Sequence, residues 1–546
     1  MSKSIPMKQF IYLLILSPVF ICAQFGNRNL PPESWTRDGK YVAITSKEVL
    51  ADPNEIHKLK AIEHASYICA TAIPAQIKFS DFSLVEILPN NDKVYRLLIK
   101  SPGALGMMMM FENFKLEKSA KLWIYNKEKT HFAGMYSEKD NYQTNGEFLS
   151  SYVLGNEVIV EYVEPSQIHT ADFSITKVYH YFRGLKSGNG NGFGSSGSCM
   201  VNAACSEGAI KPAARAATCR IRVTGPSFSG FCTGTLISNT SGDGTPYIIS
   251  ANHCSAKSSL SDLINWEFDF LFESPSCNNP SIEPSALTYK GCTAPAYSGT
   301  DNGENSSDFL LLKLNSTLLT STHDFTFLGW DRSDNNYENT VCYHHPKGDI
   351  KKVSTSSGFA SKVSYGNNVP NTHLALTWTP TAKGYSVTEE GSSGSGLVSN
   401  DGLLVGTLTG GSASCDNLSG VDMYGRFFVH WDKFGTANDR RLKPWLDPGN
   451  TGATISKSLK LSGAIVGISS HQLEEKLKYS FNVNHLKINW INSGYDINIY
   501  NFLGQKVYQT CTNSEELNVD LASFTKGIYI VEALNENKRA VVKISW

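Results

Sequence analysis

The sequence has almost no net charge: 49 Lys and Arg stand against 50 Asp and Glu, a balance of −1 over 546 residues. No basic field draws nucleic acid or an anionic membrane surface, so those partner classes are set aside. Charged residues make up only 18% and hydrophobic ones 41%, which excludes global disorder and allows packed cores. Helical periodicity is scarce in the middle of the chain. No CxxC pair occurs among the 12 cysteines, so a zinc site is not indicated. The one long apolar run, Phe10 to Cys22, is too short to cross a bilayer comfortably, and no other segment is a candidate transmembrane helix.

What is present starts with that same run. Lys3 and Lys8 precede it and Ala23 closes it, so residues 1–23 read as a cleaved export signal. The alternative is a lipoprotein signal through Cys22, for which "VFIC" is a poor lipobox. Of the eleven cysteines besides Cys22, nine lie between Cys199 and Cys415, which in an exported chain points to disulfides within one domain. The length alone suggests about two to four domains.

Residues 24 to about 180 carry short β-type runs, "KVYRLLIKS", "GMMMMFENF", "AKLWIYN" and "EVIVEYVEP", separated by Gly and Asn. They predict an antiparallel β domain, with Met107 to Met110 as a buried strand rather than a metal site. The stretch "LKSGNGNGFGSSGSC", Leu185 to Cys199, reads as a flexible connection open to proteolysis. From Cys199 to about Ile455, short strands and loops predict an all-β double barrel or sandwich. The tail, with "DINIYNFLGQKVYQT", "VDLASFTKGIYIVEAL" and "RAVVKISW", predicts another small β unit.

The stretch that invites a chemical reading is "TEEGSSGSGLVS", Thr388 to Ser399. It is either a Gly/Ser linker or a loop presenting a nucleophilic serine. A serine hydroxyl needs a base, the base an orienting acid, and the oxyanion needs donors. Gly391 at −2 and Gly394 at +1 permit a tight turn around Ser393, aiming the N–H groups of Gly391 and Ser393 at one point. The +2 residue is Ser395, so the nucleophile elbow of α/β-hydrolases is excluded. Upstream, "GTPYIISANHCS" puts His253 directly after an apolar strand and beside Cys254; "GFCTGTLIS" supplies Cys232 as a plausible bridge partner. "ENSSDFLLLKL" puts Asp308 at the mouth of a buried strand. The order His253, Asp308, Ser393 is that of chymotrypsin-like proteases.

At this point the chain resembles a known family. From about Ser198 to Ala453 it is similar to the lysyl endopeptidases, a bacterial branch of the trypsin-like serine proteases. The landmarks are "GSCMVNAAC", "CTGTLIS", "ISANHC", "SSDFLLLKL", "LGWDRSDNNY", "HHP", "VTEEGSSGSGL", "GGSASC", "DMYGRFF" and "WLDPGNTGA", all in one consistent order. The resemblance implies a mainly β fold, a chymotrypsin-like double β-barrel with an N-terminal β prodomain and a C-terminal β-sandwich sorting domain. It implies a signal peptide at 1–23, a propeptide at 24–186, a serine protease domain at 187–460 and a sorting domain at 470–546. It implies the pairs Cys199–Cys415, Cys205–Cys277 and Cys232–Cys254; Cys69, Cys219, Cys292, Cys342 and Cys511 stay unassigned.

Specificity follows from the same resemblance. The acid that trypsin carries about six residues before the serine is absent, since Val387 stands there. The matching acid of lysyl endopeptidases falls on Asp422, which implies lysine at P1; the alternative is an acid hydrogen-bonded to turn amides. Thr409 and Tyr365 occupy positions where close relatives carry a histidine and a stacked tryptophan, so that stack is not expected here, and Arg or mixed specificity is a competing reading. Lys186 is the expected propeptide cut, with Arg183 as the alternative and a plain linker as a third reading. The tail from about His471 resembles the sorting domains of the type IX secretion system, without their usual Pro-Asn-Pro; a carbohydrate-binding or adhesive β module competes. Neighbouring His344 and His345 face opposite ways on a strand and cannot share a metal, and "DRSDNNYEN" lacks EF-hand spacing. The expected protein is a monomeric, secreted or surface-held peptidase without a cofactor, exported through the periplasm, with peptide substrates and the secretion machinery as partners. A catalytically silent, protease-like adhesin is the alternative from another class.

Overall fold

In the computed structural model, the strand Gly106–Glu112 shows how the N-terminal part is built. Alternate side chains point to opposite faces: Met107, Met109 and Phe111 enter one core, with Leu97, Ile124 and Val160, whereas Met108 and Met110 enter another that also contains Phe231. The four methionines thus serve two apolar layers, which is why the strand is apolar without alternation. The structure describes residues 31–32, 35, 43–60, 67–141, 146–167, 171–183, 194–299, 306–318, 323–366 and 369–460, and in the tail 478–482, 485–489, 495–501, 506–512, 516–522, 524, 528–535 and 538–545. The expected signal peptide and Lys186 lie outside the described residues.

Two compact units emerge, one running to Lys460 and one made chiefly of Leu461–Trp546. Within the first, the strand Tyr67–Lys78 pairs with Ser174–Tyr181 on one side and with Phe228–Phe231 on the other. The N-terminal β region and the part that follows it therefore share one continuous sheet. The sequence suggested two separate domains here; main-chain hydrogen bonds join them.

Two barrels follow. In the first, Thr218–Thr224 pairs with Phe228–Ile237 and with Glu267–Phe270, Phe228–Ile237 with Tyr247–Ala251, and Tyr247–Ala251 with Phe309–Leu314. Phe309–Leu314 pairs with Cys292–Tyr297, and Glu267–Phe270 with Leu287–Lys290. Only Gly291, at φ +80°, separates those last two partners, so one bent strand closes the ring. The second barrel closes directly. Tyr337–His344 pairs with Lys352–Val363 and Gly396–Val398, Lys352–Val363 with His373–Leu376, and His373–Leu376 with Asp422–Arg426. The last strand pairs with Leu404–Gly411, which returns to Gly396–Val398. Its interior holds Leu374, Leu376, Trp378, Val387, Leu397, Leu408 and Tyr424. Closure leaves few free edges, the usual solution for an all-β chain. The expected mainly β, double-barrel architecture is what forms.

The three expected disulfides, Cys199–Cys415, Cys205–Cys277 and Cys232–Cys254, are present. Cys69, Cys219, Cys292 and Cys342 are free and buried, and Cys511 is free and exposed. The tail unit has two antiparallel sheets, Lys478–Asn482, His485–Asn489 and Glu516–Asp520 in one, and Lys506–Thr512, Tyr495–Asn501, Ile528–Asn535 and Lys538–Ser545 in the other. Their shared core of Leu486, Ile488, Ile497, Ile499, Val519 and Val531 makes it a small sandwich.

Candidate active site

Neighbouring strands bring the first two candidates together. Tyr247–Ala251 and Phe309–Leu314 pair so that Ala251 lies opposite Phe309. His253 sits in the 3₁₀ turn Asn252–Ser255 just beyond the first strand, and Asp308 immediately before the second. Both end at the same rim. The Asp308 carboxylate meets His253 Nδ1 at 2.7 Å and accepts the His253 backbone N–H at 2.9 Å. Asp308 itself sits at φ +58°, the left-handed region that Asp tolerates better than most residues. The backbone N–H of Asn252 donates to its carbonyl at 3.1 Å, fixing that conformation.

Burial works against the charged form of the His253 ring, but the charge and hydrogen bond of Asp308 outweigh it and raise the pKa above the ordinary imidazole value. Against a carboxylate, which only accepts, Nδ1 carries the hydrogen and Nε2 is left basic.

The third candidate lies on the loop of the second barrel that leads into the strand Gly396–Val398. Of its serines, Ser392 and Ser395 are buried and Ser393 is half-buried. Ser392 Oγ is engaged with His344 Nδ1 at 2.7 Å, and Ser395 Oγ with Cys342 Sγ at 3.2 Å. The Ser393 main chain is pinned where its carbonyl accepts the Thr233 N–H at 2.8 Å. Thr233 follows Cys232, whose disulfide leads to Cys254, the residue after His253. Gly394, at φ +80°, is packed so closely on Ala251 that a Cβ would lie 2.7 Å from its backbone nitrogen. The loop thus abuts the turn carrying His253. Gly391 adopts φ +88°, and a Cβ there would stand 2.8 Å from Lys347 N, so conformation and space both require glycine.

Asp422 opens the strand Asp422–Arg426, between Leu376 and Gly411. It is buried. Oδ2 accepts from Trp378 Nε1 and from Thr388 Oγ1, each at 2.6 Å. Oδ1 is buried with no side-chain partner and faces Gly411, where an added Cβ would lie 2.2 Å from it. Burial raises the Asp422 pKa, with hydrogen bonds from the Thr388 and Trp378 side chains and the Ala413 and Thr388 amides opposing. This acid is held by two side chains, with the main-chain amides of Ala413 and Thr388 close enough to favour its charged form.

Two histidines escaped the sequence reading. His430 Nδ1 lies 2.7 Å from the Oγ of Ser307, the residue before Asp308, and its Nε2 3.0 Å from Thr407 Oγ1. His373 Nε2 lies 3.0 Å from Thr409 Oγ1, and the Tyr365 ring packs on it at 4.9 Å between centroids. Burial pushes the His373 pKa down to about 4, with the Asp308 charge opposing. Tyr365 and Thr409, expected to leave no stack, are therefore joined through an imidazole from a different strand. His344 and His345 take separate partners, Ser392 and Ser354 for the first and the Asp349 carbonyl for the second. Among the described residues no cluster suited to a metal ion occurs, and no helix is long and apolar enough to cross a membrane.

Comparison with known proteins adds to this geometry. Residues 193–425 match the family model described as lysyl endopeptidase, C-terminal domain. Residues 480–545 match that of the secretion system C-terminal sorting domain. The lysyl endopeptidase of Pseudomonas aeruginosa is 30% identical over 308 residues, which cover 52% of this chain and 62% of that protein. The chain thus spans about three fifths of the length of that curated relative. Among solved structures, the Rv3671c protease of M. tuberculosis in its active form is 17% identical, covering 42% of this chain and 85% of that one at a TM-score of 0.27. The thermostable serine protease AL20 from an extremophilic microorganism is 13% identical, covering 39% and 93% at a TM-score of 0.28. The two stretches matched by family models are lysyl endopeptidase-like and sorting-domain-like, as their motifs implied.

Proposed function

We propose, starting from a lysyl endopeptidase-like region followed by a sorting-type tail, that this chain is a secreted serine endopeptidase cutting on the carboxyl side of lysine. The observation that carries the reading is the buried His253–Asp308 pair beside a loop whose half-buried serine is Ser393. His253 Nε2 takes the Ser393 proton as Oγ attacks the scissile carbonyl, then returns it to the leaving amine. Asp308 holds the ring and stabilises its charged form. The N–H groups of Gly391 and Ser393 receive the oxyanion; one such donor is worth about 3–4 kcal/mol in comparable sites. Asp422 waits at the base of the specificity pocket. Its Oδ1, which has no side-chain partner, suits a substrate ammonium, which would balance a charge otherwise costly to bury.

Residues 24–186 act as a propeptide in this reading, cut after Lys186 by the enzyme itself or after Arg183 by another protease. The protease domain then spans 187–460, and the tail at 470–546 directs export by the type IX secretion system to the medium or cell surface. The test is a serine-directed fluorophosphonate probe, followed by digestion of an unstructured protein and mass spectrometry of the new termini. Labelling lost in Ser393→Ala, with cuts after lysine, is the expected result. A correctly processed protein that takes no label supports a silent adhesin instead, and cuts after arginine remove the role given to Asp422.

A further inference from the structure

We infer that the segment Gly194–Cys199 is a strut that sets the shape of the nucleophile loop, with Asp349 and Glu389 as the positioning residues through which it acts. The inference rests on Ser393 being the nucleophile.

Asp349 is fully buried. Its carboxylate accepts the N–H of Gly194 at 2.6 Å and the Oγ–H of Ser196 at 2.5 Å. It also accepts the N–H of Ile350 at 2.7 Å, in its own turn. Ser195 Oγ donates to the Lys347 carbonyl at 3.1 Å. One residue further, the Gly197 N–H donates to Glu389 Oε2 at 2.9 Å. The other oxygen of Glu389 accepts from Lys347 Nζ at 2.9 Å. The segment is thus fastened at once to the turn around Lys347 and to the loop bearing Ser393. The Cys199–Cys415 bridge holds its far end. A cut at Lys186 or Arg183 therefore severs the chain ahead of this segment while leaving the segment attached.

The consequence lies in one peptide plane. The Lys347 N–H donates to the Glu390 carbonyl at 2.6 Å. In a trans peptide the carbonyl and the following N–H point in opposite directions. Holding the Glu390 carbonyl toward Lys347 therefore turns the Gly391 N–H away from Lys347, which fixes the direction of one proposed oxyanion donor. Gly391 has no Cβ and rotates easily, so this peptide depends on its partner to stay in place. Glu389, one residue earlier, is tied down by its carbonyl accepting the Ser392 N–H at 3.0 Å and by its side chain on Gly197. Asp349 is thus satisfied by main-chain amides, the Ser196 hydroxyl and the Lys352 ammonium, Glu389 by one amide and Lys347, and the geometry they impose ends at Gly391.

The test compares a peptide ending in lysinal, which forms a tetrahedral adduct with the nucleophile, with the same peptide ending in lysinol, which cannot. For Glu389→Ala and Asp349→Ala, kcat and lysinal affinity should fall together by about 10- to 100-fold, below the roughly 10²- to 10³-fold cost of losing an oxyanion donor outright because the donor is misdirected and not removed. KM and lysinol affinity should change less than about twofold by the same reasoning. Glu389→Gln and Asp349→Asn keep the acceptor oxygen for the strut amides and should recover most of the loss. Lys347→Met removes only the ammonium from a partly exposed side chain and keeps the test open if the alanine variants do not fold; a smaller fall of the same pattern is expected. Equal losses for lysinal and lysinol, or no loss of lysinal affinity, overturn the inference. A wild-type enzyme that takes no fluorophosphonate label overturns the functional reading itself, a separate outcome.

Discussion

Asp308 grips His253 twice: Oδ2 meets the ring Nδ1 at 2.7 Å, and Oδ1 accepts the backbone N–H of the same residue at 2.9 Å. One contact sets the tautomer and the other sets the position of the ring's own main chain. The second contact adds to the Asn252 amide hydrogen bond and the Cys232–Cys254 bridge in fixing the turn Asn252–Ser255.

Asp308→Asn is expected to keep the fold and lower kcat by about 10⁴-fold, because an amide donor at this place favours the wrong tautomer. Steady-state kinetics beside a melting curve decide it. A loss below tenfold would mean that His253 is not the working base.

The pH profile carries a direction. The base must be neutral to take a proton, and the Asp308 contact raises the His253 pKa. The acid limb of kcat/KM should therefore have its midpoint above the ordinary imidazole value of about 6.5. Activity rises as pH increases through that midpoint. A midpoint clearly below it contradicts the assignment.

Asp422→Asn keeps an acceptor for Trp378 and Thr388 but removes the charge. For lysyl substrates kcat/KM should fall by about 10²- to 10³-fold, the scale of leaving a buried charge unpaired. Hydrolysis after neutral residues should change little. A uniform fall for all substrates would make Asp422 structural.

Lys290 reports on the joint between the N-terminal region and the first barrel. Its ammonium donates to the Leu149 carbonyl and lies over the Phe148 ring. Burial lowers its pKa to about 8; the Glu267 and Asp140 carboxylates oppose this and Arg222 adds to it. A separated barrel would expose Lys290 and return it toward about 10.4. Separation thus takes up a proton between those values, so the two parts should hold together better at pH about 10 than at pH about 8. Size-exclusion chromatography of the cleaved protein across that range checks it, with Lys290→Met expected to flatten the dependence. Tighter association at the lower pH would reverse the sign and exclude Lys290 as the cause.

Much of this was readable in the linear chain because it depends on local chemistry. Short apolar runs broken by Gly and Asn indicate strands. A strand ending in His-Cys, an acid before "FLLLKL", and a serine between Gly391 and Gly394 mark the candidate triad, and the cysteine spacing, by resemblance, marks the bridges that form. Other features required distant residues to meet. That Tyr67–Lys78 would join the barrel sheet depends on a free edge at Phe228–Phe231, which exists only once the barrel has formed. That Tyr365 would find His373, that His430 would sit behind Ser307, and that Asp349 would seize Gly194 follow from side chains far apart in sequence being packed into one interior. Residue type and order determined which chemistry this chain carries; closure of the two barrels decided which buried polar groups had to satisfy one another, because burial takes them out of bulk solvent and an unpaired polar group is costly there.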